Sequence, residues 1–167
     1  MTKTVFWAWS LSTCAALIQS TLLTRITILH TIPDLTLIIL IYISYSNGTM
    51  TGQTLGFTSG VALDFISAAP LGFNAFIRTI IGAITGLLKG TFFLDILILP
   101  IILVAAGTLT KAFLAFILHI LFAGAVPAYD LLMPTLWMEL AYNVTLAPFL
   151  FAFMNLFKSV LTPRKGN

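Results

Sequence analysis

Charged residues are scarce in this chain: they make up 8% of its 167 residues, against about 25% in ordinary globular proteins. Hydrophobic residues make up 59% and the mean hydropathy is +1.07, which excludes a soluble domain. Eight basic and five acidic residues leave a net charge of +3. The basic residues concentrate at the ends of the chain and not in one groove or face, so we expect no nucleic-acid binding.

Cysteine and catalytic motifs are also lacking. Cys14 is the single cysteine, which excludes a disulfide framework and a thiolate metal site. The sequence shows no carboxylate pair beside a nucleophile, no histidine dyad and no serine elbow. We therefore expect a protein that is not an enzyme, with no catalytic residue, no metal and no cofactor.

What the chain has instead is a series of long apolar segments, typical of an all-α polytopic membrane protein. We predict one integral membrane domain over residues 1–167, built as a compact bundle of six transmembrane helices. Their expected bounds are about 5–24, 33–46, 49–66, 73–89, 95–122 and 136–157. The second helix would span only about 20 Å, so it needs extra turns, a thinner bilayer or shielding by its neighbours.

Helix-start residues and basic residues give further expectations. Pro33 suits the first turn of the second helix and Asp34 suits a capping position, whereas Pro100 should kink the fifth helix or mark a later start. With six spans both termini share one side of the membrane. Because cytoplasmic loops carry an excess of Lys and Arg, we expect both termini to be cytoplasmic. The basic residues on that side are Lys3, Lys89, Lys158, Arg164 and Lys165.

Glycines recur at every fourth position on the third and fourth helices. They are Gly48, Gly52, Gly56 and Gly60, followed by Gly82, Gly86 and Gly90. Small residues let helix backbones approach closely in lipid, so a chain reversal near Pro70 should set Gly56 and Gly60 beside Gly82. We expect these stripes to pack the two helices together within one subunit; the alternative is a groove for a partner.

Four charged residues fall at membrane depth, where an unpaired charge is costly: Asp64, Arg78, Lys111 and Glu139. The prediction pairs Asp64 with Arg78 and Lys111 with Glu139, as links between neighbouring helices. The alternative is a small outward-facing polar cavity that receives a ligand or a partner's transmembrane helix.

The ordered set of these features resembles the MreD family of rod shape-determining proteins. It consists of Pro33-Asp34-Leu35, the glycines at 48, 52, 56 and 60, then Asp64 and Pro70-Leu71-Gly72. The resemblance implies a non-enzymatic scaffold of the bacterial cell-elongation complex in the cytoplasmic (inner) membrane, which helps to organise peptidoglycan synthesis. It implies direct binding of MreC and, through the complex, association with MreB and the peptidoglycan polymerase and transpeptidase.

The family's fold is similar to that of the S-components of energy-coupling-factor vitamin transporters, which supplies an alternative function. A substrate-capture subunit of that kind would need an outward pocket and a small-residue face that docks its transporter partner. Ala8, Ser12 and Ala16 form such a face on the first helix. Short loops with few polar groups leave little to recognise a vitamin, so the scaffold is the favoured hypothesis.

Overall fold

The computed structural model describes residues 2–21, 31–67, 69–91, 97–122, 126 and 134–161. These residues form six longer helices and one of four residues, so the all-α prediction is confirmed. The helices are α1 (Thr2–Thr21), α2 (Leu35–Asn47), α3 (Thr49–Ile66), α4 (Phe73–Leu87), α5 (Ile98–Leu121), α6 (Pro134–Leu156) and α7 (Lys158–Leu161).

Two of the described helices, α5 and α6, are long and apolar enough to cross a membrane, with 24 and 23 residues. The apolar helices α2 and α4 are shorter. Large apolar side chains cover the outside of the bundle; Phe57, Phe76, Phe113 and Phe149 are each more than half exposed. An apolar surface spread over several helices is typical of a protein that faces lipid.

Helix α2 forms the core of the bundle. Its residues from Thr36 to Ser44 are all buried, and Leu37, Leu40 and Ile43 have no exposed surface. A helix that is apolar on every side is stable only where neighbours cover it, and α2 is in contact with α1, α3, α4, α5 and α6. The neighbouring helices therefore cover this 13-residue helix, which is one of the three possibilities that its short length left open.

Local sequence sets where the helices begin. The Asp34 carboxylate accepts a hydrogen bond from the Leu37 amide at 3.0 Å and caps α2. Pro33 precedes this cap, so its predicted place in the first turn was wrong. Pro100 is the third residue of α5, where a missing amide donor costs little; it marks a later start and not a kink.

One end of the bundle joins α2, α4 and α7. Asn47 donates a side-chain hydrogen bond to the Leu161 carbonyl at 3.0 Å, and the Lys89 ammonium donates to the Asn47 carbonyl at 3.0 Å. The first half of α1 lies beside α7, since Trp7 and Leu161 border the same crevice. The described N-terminal and C-terminal helices thus meet at this end, together with two lysines, Lys89 and Lys158.

Candidate functional site

The glycines of α3 and α4 form a backbone-to-backbone contact. A Cβ atom added to Gly52 or to Gly82 would lie within 3.0 Å of the other residue's carbonyl oxygen. One added to Gly56 would meet the Arg78 carbonyl, and one added to Gly60 would meet the Ala75 Cα. Because backbone atoms cannot rotate away as a side chain can, only glycine fits at these positions.

The register of this contact differs from the predicted one. Gly82 lies opposite Gly52, whereas the sequence reading placed Gly82 beside Gly56 and Gly60. The difference is one to two helical turns. Gly60 lies opposite Ala75, so the last turn of α3 extends past the start of α4 at Phe73. Each residue of α4 therefore meets an earlier part of α3 than predicted.

Three of the predicted packing glycines have individual positions. A Cβ on Gly86 would lie 2.5 Å from the Thr49 Cα, so this glycine closes the contact at the start of α3. Gly48 links α2 to α3 with φ of 100°, and Gly90 lies beyond α4 with φ of 72° and nothing within 4 Å of an added Cβ. Gly48 and Gly90 thus lie outside the helices, each with a positive φ that favours glycine, but the Gly48 backbone still packs against Gly86 as predicted.

Asp64 caps α4 and does not pair with Arg78. Its carboxylate accepts hydrogen bonds from the amides of Gly72 (2.9 Å), Asn74 (2.8 Å) and Ala75 (3.2 Å), and from the Asn74 side chain (2.9 Å). A carboxylate at a helix N-terminus satisfies amides that have no partner within the helix and meets the positive end of its dipole. The register shift explains the wrong prediction, because it carries Asp64 beyond the first turn of α4.

Arg78 pairs instead with Asp34. One terminal nitrogen, Nη2, donates to both oxygens of the Asp34 carboxylate, at 2.7 and 2.8 Å. Both side chains are almost fully buried, with 5% and 4% of their surface exposed. The other terminal nitrogen of Arg78 is buried and has no acceptor among the described residues. The contact joins the start of α2 to the middle of α4.

Lys111 joins two carboxylates. Its ammonium lies 2.8 Å from Asp34 Oδ2 and 2.6 Å from Glu139 Oε1, so the structure contains the expected Lys111 and Glu139 pair. The Lys111 side chain is 20% exposed, which makes it the most accessible member. We call Asp34, Arg78, Lys111 and Glu139 the ionic cluster; it contains two positive and two negative side chains from α2, α4, α5 and α6.

Neutral polar groups complete the surroundings of Asp34. Its carboxylate also accepts from the Thr36 hydroxyl at 2.8 Å, and its amide donates to Asn143 Oδ1 at 2.8 Å. Asn143 donates in turn to the Thr108 hydroxyl at 3.1 Å. Asn143 and Thr108 have no exposed surface. Buried polar groups require such partners because each unsatisfied group costs about 1–3 kcal/mol.

Asp34 makes more contacts than the sequence analysis assigned to it. The sequence indicated a cap, which the structure contains, but it gave no sign that Arg78 and Lys111 converge on the same carboxylate. The available signal was the location of Asp34 at the entrance of a segment with no other charge. An aspartate there needs more than amide donors if the cap is buried among apolar helices.

The arrangement of these groups is suited to holding helices together. Each carboxylate of the ionic cluster lies against a cation, and removing one partner from a buried pair typically costs about 3–5 kcal/mol. Among the described residues, no three His, Cys, Asp or Glu side chains lie close enough together to hold a metal ion. The ionic cluster thus fixes the relative positions of four helices.

The small-residue face of α1 is occupied within the molecule. Ser12 and Ala16 are buried, with 1% and 3% of their surface exposed, and α1 packs on α2 and α3; the Ala8 side chain lies outside the described residues. The docking face that the transporter alternative required is therefore covered at Ser12 and Ala16 by the chain's own helices.

Comparison with known proteins adds one match. Residues 1–157 match the family model described as rod shape-determining protein MreD. No curated protein and no solved structure matches. The matched range includes the α3–α4 glycine contact and all four members of the ionic cluster.

Proposed function

Because this chain belongs to the MreD family of rod shape-determining proteins, we propose that it is a non-enzymatic membrane scaffold of the bacterial cell-elongation complex. In this role it binds MreC directly and, through the complex, associates with MreB and with the peptidoglycan polymerase and transpeptidase. It thereby helps to organise peptidoglycan synthesis at the cytoplasmic membrane.

The observation that carries this proposal is that the charged groups at the centre of the bundle hold its helices together. Asp34 and Glu139 lie against Arg78 and Lys111, and Asp64 is occupied by the start of α4. Together with the glycine contact between α3 and α4, these groups make a frame of fixed shape. A fixed frame with an apolar exterior suits the recruitment of membrane partners.

The proposed topology has six spans and cytoplasmic termini. Support comes from the end of the bundle where α1, α7 and the end of α4 meet, because this end carries Lys89 and Lys158. Lysines close to the ends of membrane helices favour the cytoplasmic side. The start of α4, capped by Asp64, would then face outward.

The partner surface must lie outside the α3–α4 contact. Gly52, Gly56 and Gly82 face backbone of the same subunit, so they are not open to a second protein. The candidate surfaces are the exposed apolar faces of the helices. We propose that the glycines act on partner binding only through the shape of the frame.

Co-purification tests the scaffold function. The tagged protein, extracted in mild detergent from cells that also produce MreC, is expected to retain MreC through size-exclusion chromatography. Gly56→Leu should lose it, because the added side chain meets the Arg78 backbone, whereas Thr58→Leu, at an exposed position of the same helix, should retain it. A monodisperse wild-type protein that recovers no MreC would contradict the proposal.

A further inference from the structure

A groove runs between α1 on one side and the end of α6 with α7 on the other. Trp7, Leu11 and Cys14 line it from α1, and Phe153, Phe157 and Leu161 line it from the opposite side. Its volume is about 430 Å³, within the range of roughly 300–1,000 Å³ found for small-molecule sites. The groove is apolar apart from the Ser10 hydroxyl and the Cys14 thiol.

The aromatic walls of the groove are open to the surroundings. Trp7 is 55% exposed and Phe153 is 50% exposed. Phe153 and Phe157 pack edge to face, with their ring centres 5.2 Å apart. The groove is therefore accessible from the side of the bundle that faces lipid.

The segments that build the groove carry positive charge only. No Asp or Glu occurs before Asp34 or after Glu139, whereas five of the eight basic residues fall in those two parts of the chain. Lys158 is an exposed residue of α7. In the sequence it lies between Phe157 and Leu161, which both line the groove. A ligand that fits this place has an apolar body and a negatively charged head.

We propose that the groove binds one acyl chain of an anionic phospholipid and that Lys158 pairs with the phosphate of its head group. An acyl chain is apolar, flexible and narrow, which suits an apolar groove of this volume. The charge fits as well, because one lysine near an anionic leaflet raises the binding affinity about fivefold. A helix of a partner protein fits less well, because it is about 10 Å across and one turn of it would already fill this volume. The site goes beyond the scaffold function and does not depend on it.

Fluorescence quenching by brominated lipids tests the proposal on the full-length protein in vesicles. The chain has three tryptophans, so Trp9→Phe with Trp137→Phe leaves only Trp7 in the groove. Vesicles contain phosphatidylglycerol and phosphatidylcholine at equal mole fractions, with bromine on the acyl chains of one or the other. We expect brominated phosphatidylglycerol to quench Trp7 more strongly, with an apparent preference of about fivefold.

A matched control uses Trp137, which is 56% exposed and lies at the other end of α6. Trp7→Phe with Trp9→Phe leaves this residue alone, and both lipids should quench it equally. In the Trp7 protein, Lys158→Gln should bring the preference close to one. Cys14→Leu, which narrows the groove, should lower the quenching of Trp7 by phosphatidylglycerol.

Three results would overturn the proposal. Equal quenching of Trp7 by both lipids would show that the head group is not recognised. A preference that survives Lys158→Gln would remove the proposed phosphate contact. Protection of Trp7 from both lipids, while Trp137 is quenched, would show that protein covers the groove, as in a contact between two copies of this chain.

Discussion

The contact between α3 and α4 and the ionic cluster hold the same bundle together by opposite means. The first is made where side chains are missing, since Gly52 and Gly82 let two backbones touch. The second is made by long side chains that reach Asp34 from Arg78 and Lys111. Two backbones in contact cannot adjust their distance, whereas a long side chain can turn toward one of several partners. The glycine contact therefore fixes how closely α3 and α4 approach, and the ionic cluster fixes which helices become neighbours.

The largest effect is expected for a substitution in the glycine contact between α3 and α4. Gly52→Leu should prevent accumulation of folded protein, because its side chain would have to occupy the space of the Gly82 carbonyl. Overpacking usually costs about 1–3 kcal/mol where neighbours can move, and here they are backbone. Yield and monodispersity in detergent measure the effect.

Thr54→Leu is the control for Gly52→Leu, because Thr54 lies on the same helix with an exposed side chain. It should accumulate as the wild type does. Equal yields of folded protein from the two variants would show that α3 and α4 are not in backbone contact.

The next effect concerns the partner of Arg78. Arg78→Met should lower the free energy of unfolding by about 3–5 kcal/mol, since Asp34 loses one of its two cations. Adding Asp34→Asn should cost less than the sum of the two single changes, because the two residues share one contact. Thermal unfolding of the four proteins in one detergent measures the coupling, and strict additivity would argue against the pair.

A substitution of Asp64 tests whether this residue is a partner of Arg78, as the sequence suggested. Asp64→Ala should lower the free energy of unfolding by about 1–2 kcal/mol, as expected for the loss of a helix cap. Combined with Arg78→Met, its effect should add to within about 0.5 kcal/mol, because Asp64 and Arg78 share no hydrogen-bond partner. Strong coupling between them would restore the pairing that the sequence suggested.

The smallest effect is expected at the edge of the ionic cluster. Thr108→Val keeps the shape of the side chain and removes the acceptor of the Asn143 amide. The expected cost is about 1 kcal/mol, measured as a small drop in the unfolding temperature. Thr110→Val is the control, since the Thr110 hydroxyl bonds only within its own helix in the described contacts; a larger loss there would contradict the role of Thr108.

The two regions also differ in how far they could be predicted from the sequence. Fourfold glycine spacing is a local pattern, so it indicated that α3 and α4 would meet. The register was predicted wrongly although the end of α3 and the start of α4 were predicted correctly, because it depends on how far the last turn of α3 extends past Phe73, which the glycine spacing does not record. This error moved Asp64 away from Arg78, and it left the true partner of Arg78, which lies 44 residues earlier in the chain, outside the prediction.

The ionic cluster was predictable in part. Lys111 and Glu139 lie on consecutive long helices, and their pairing follows from the fold-back of α5 and α6. Asp34 satisfies a local rule as a cap of α2, and that rule was sufficient to account for it without any distant partner. Its remaining contacts depend on how α4, α5 and α6 surround α2, which no local pattern records.

The central location of Asp34 has a consequence for biosynthesis. Its partners Arg78, Lys111 and Asn143 follow it by 44, 77 and 109 residues. In the proposed membrane topology, α2 enters the membrane before the helices that carry these three residues. Because an isolated carboxylate at membrane depth is costly, we expect α2 to reach its final position only after α4, α5 and α6 have been made.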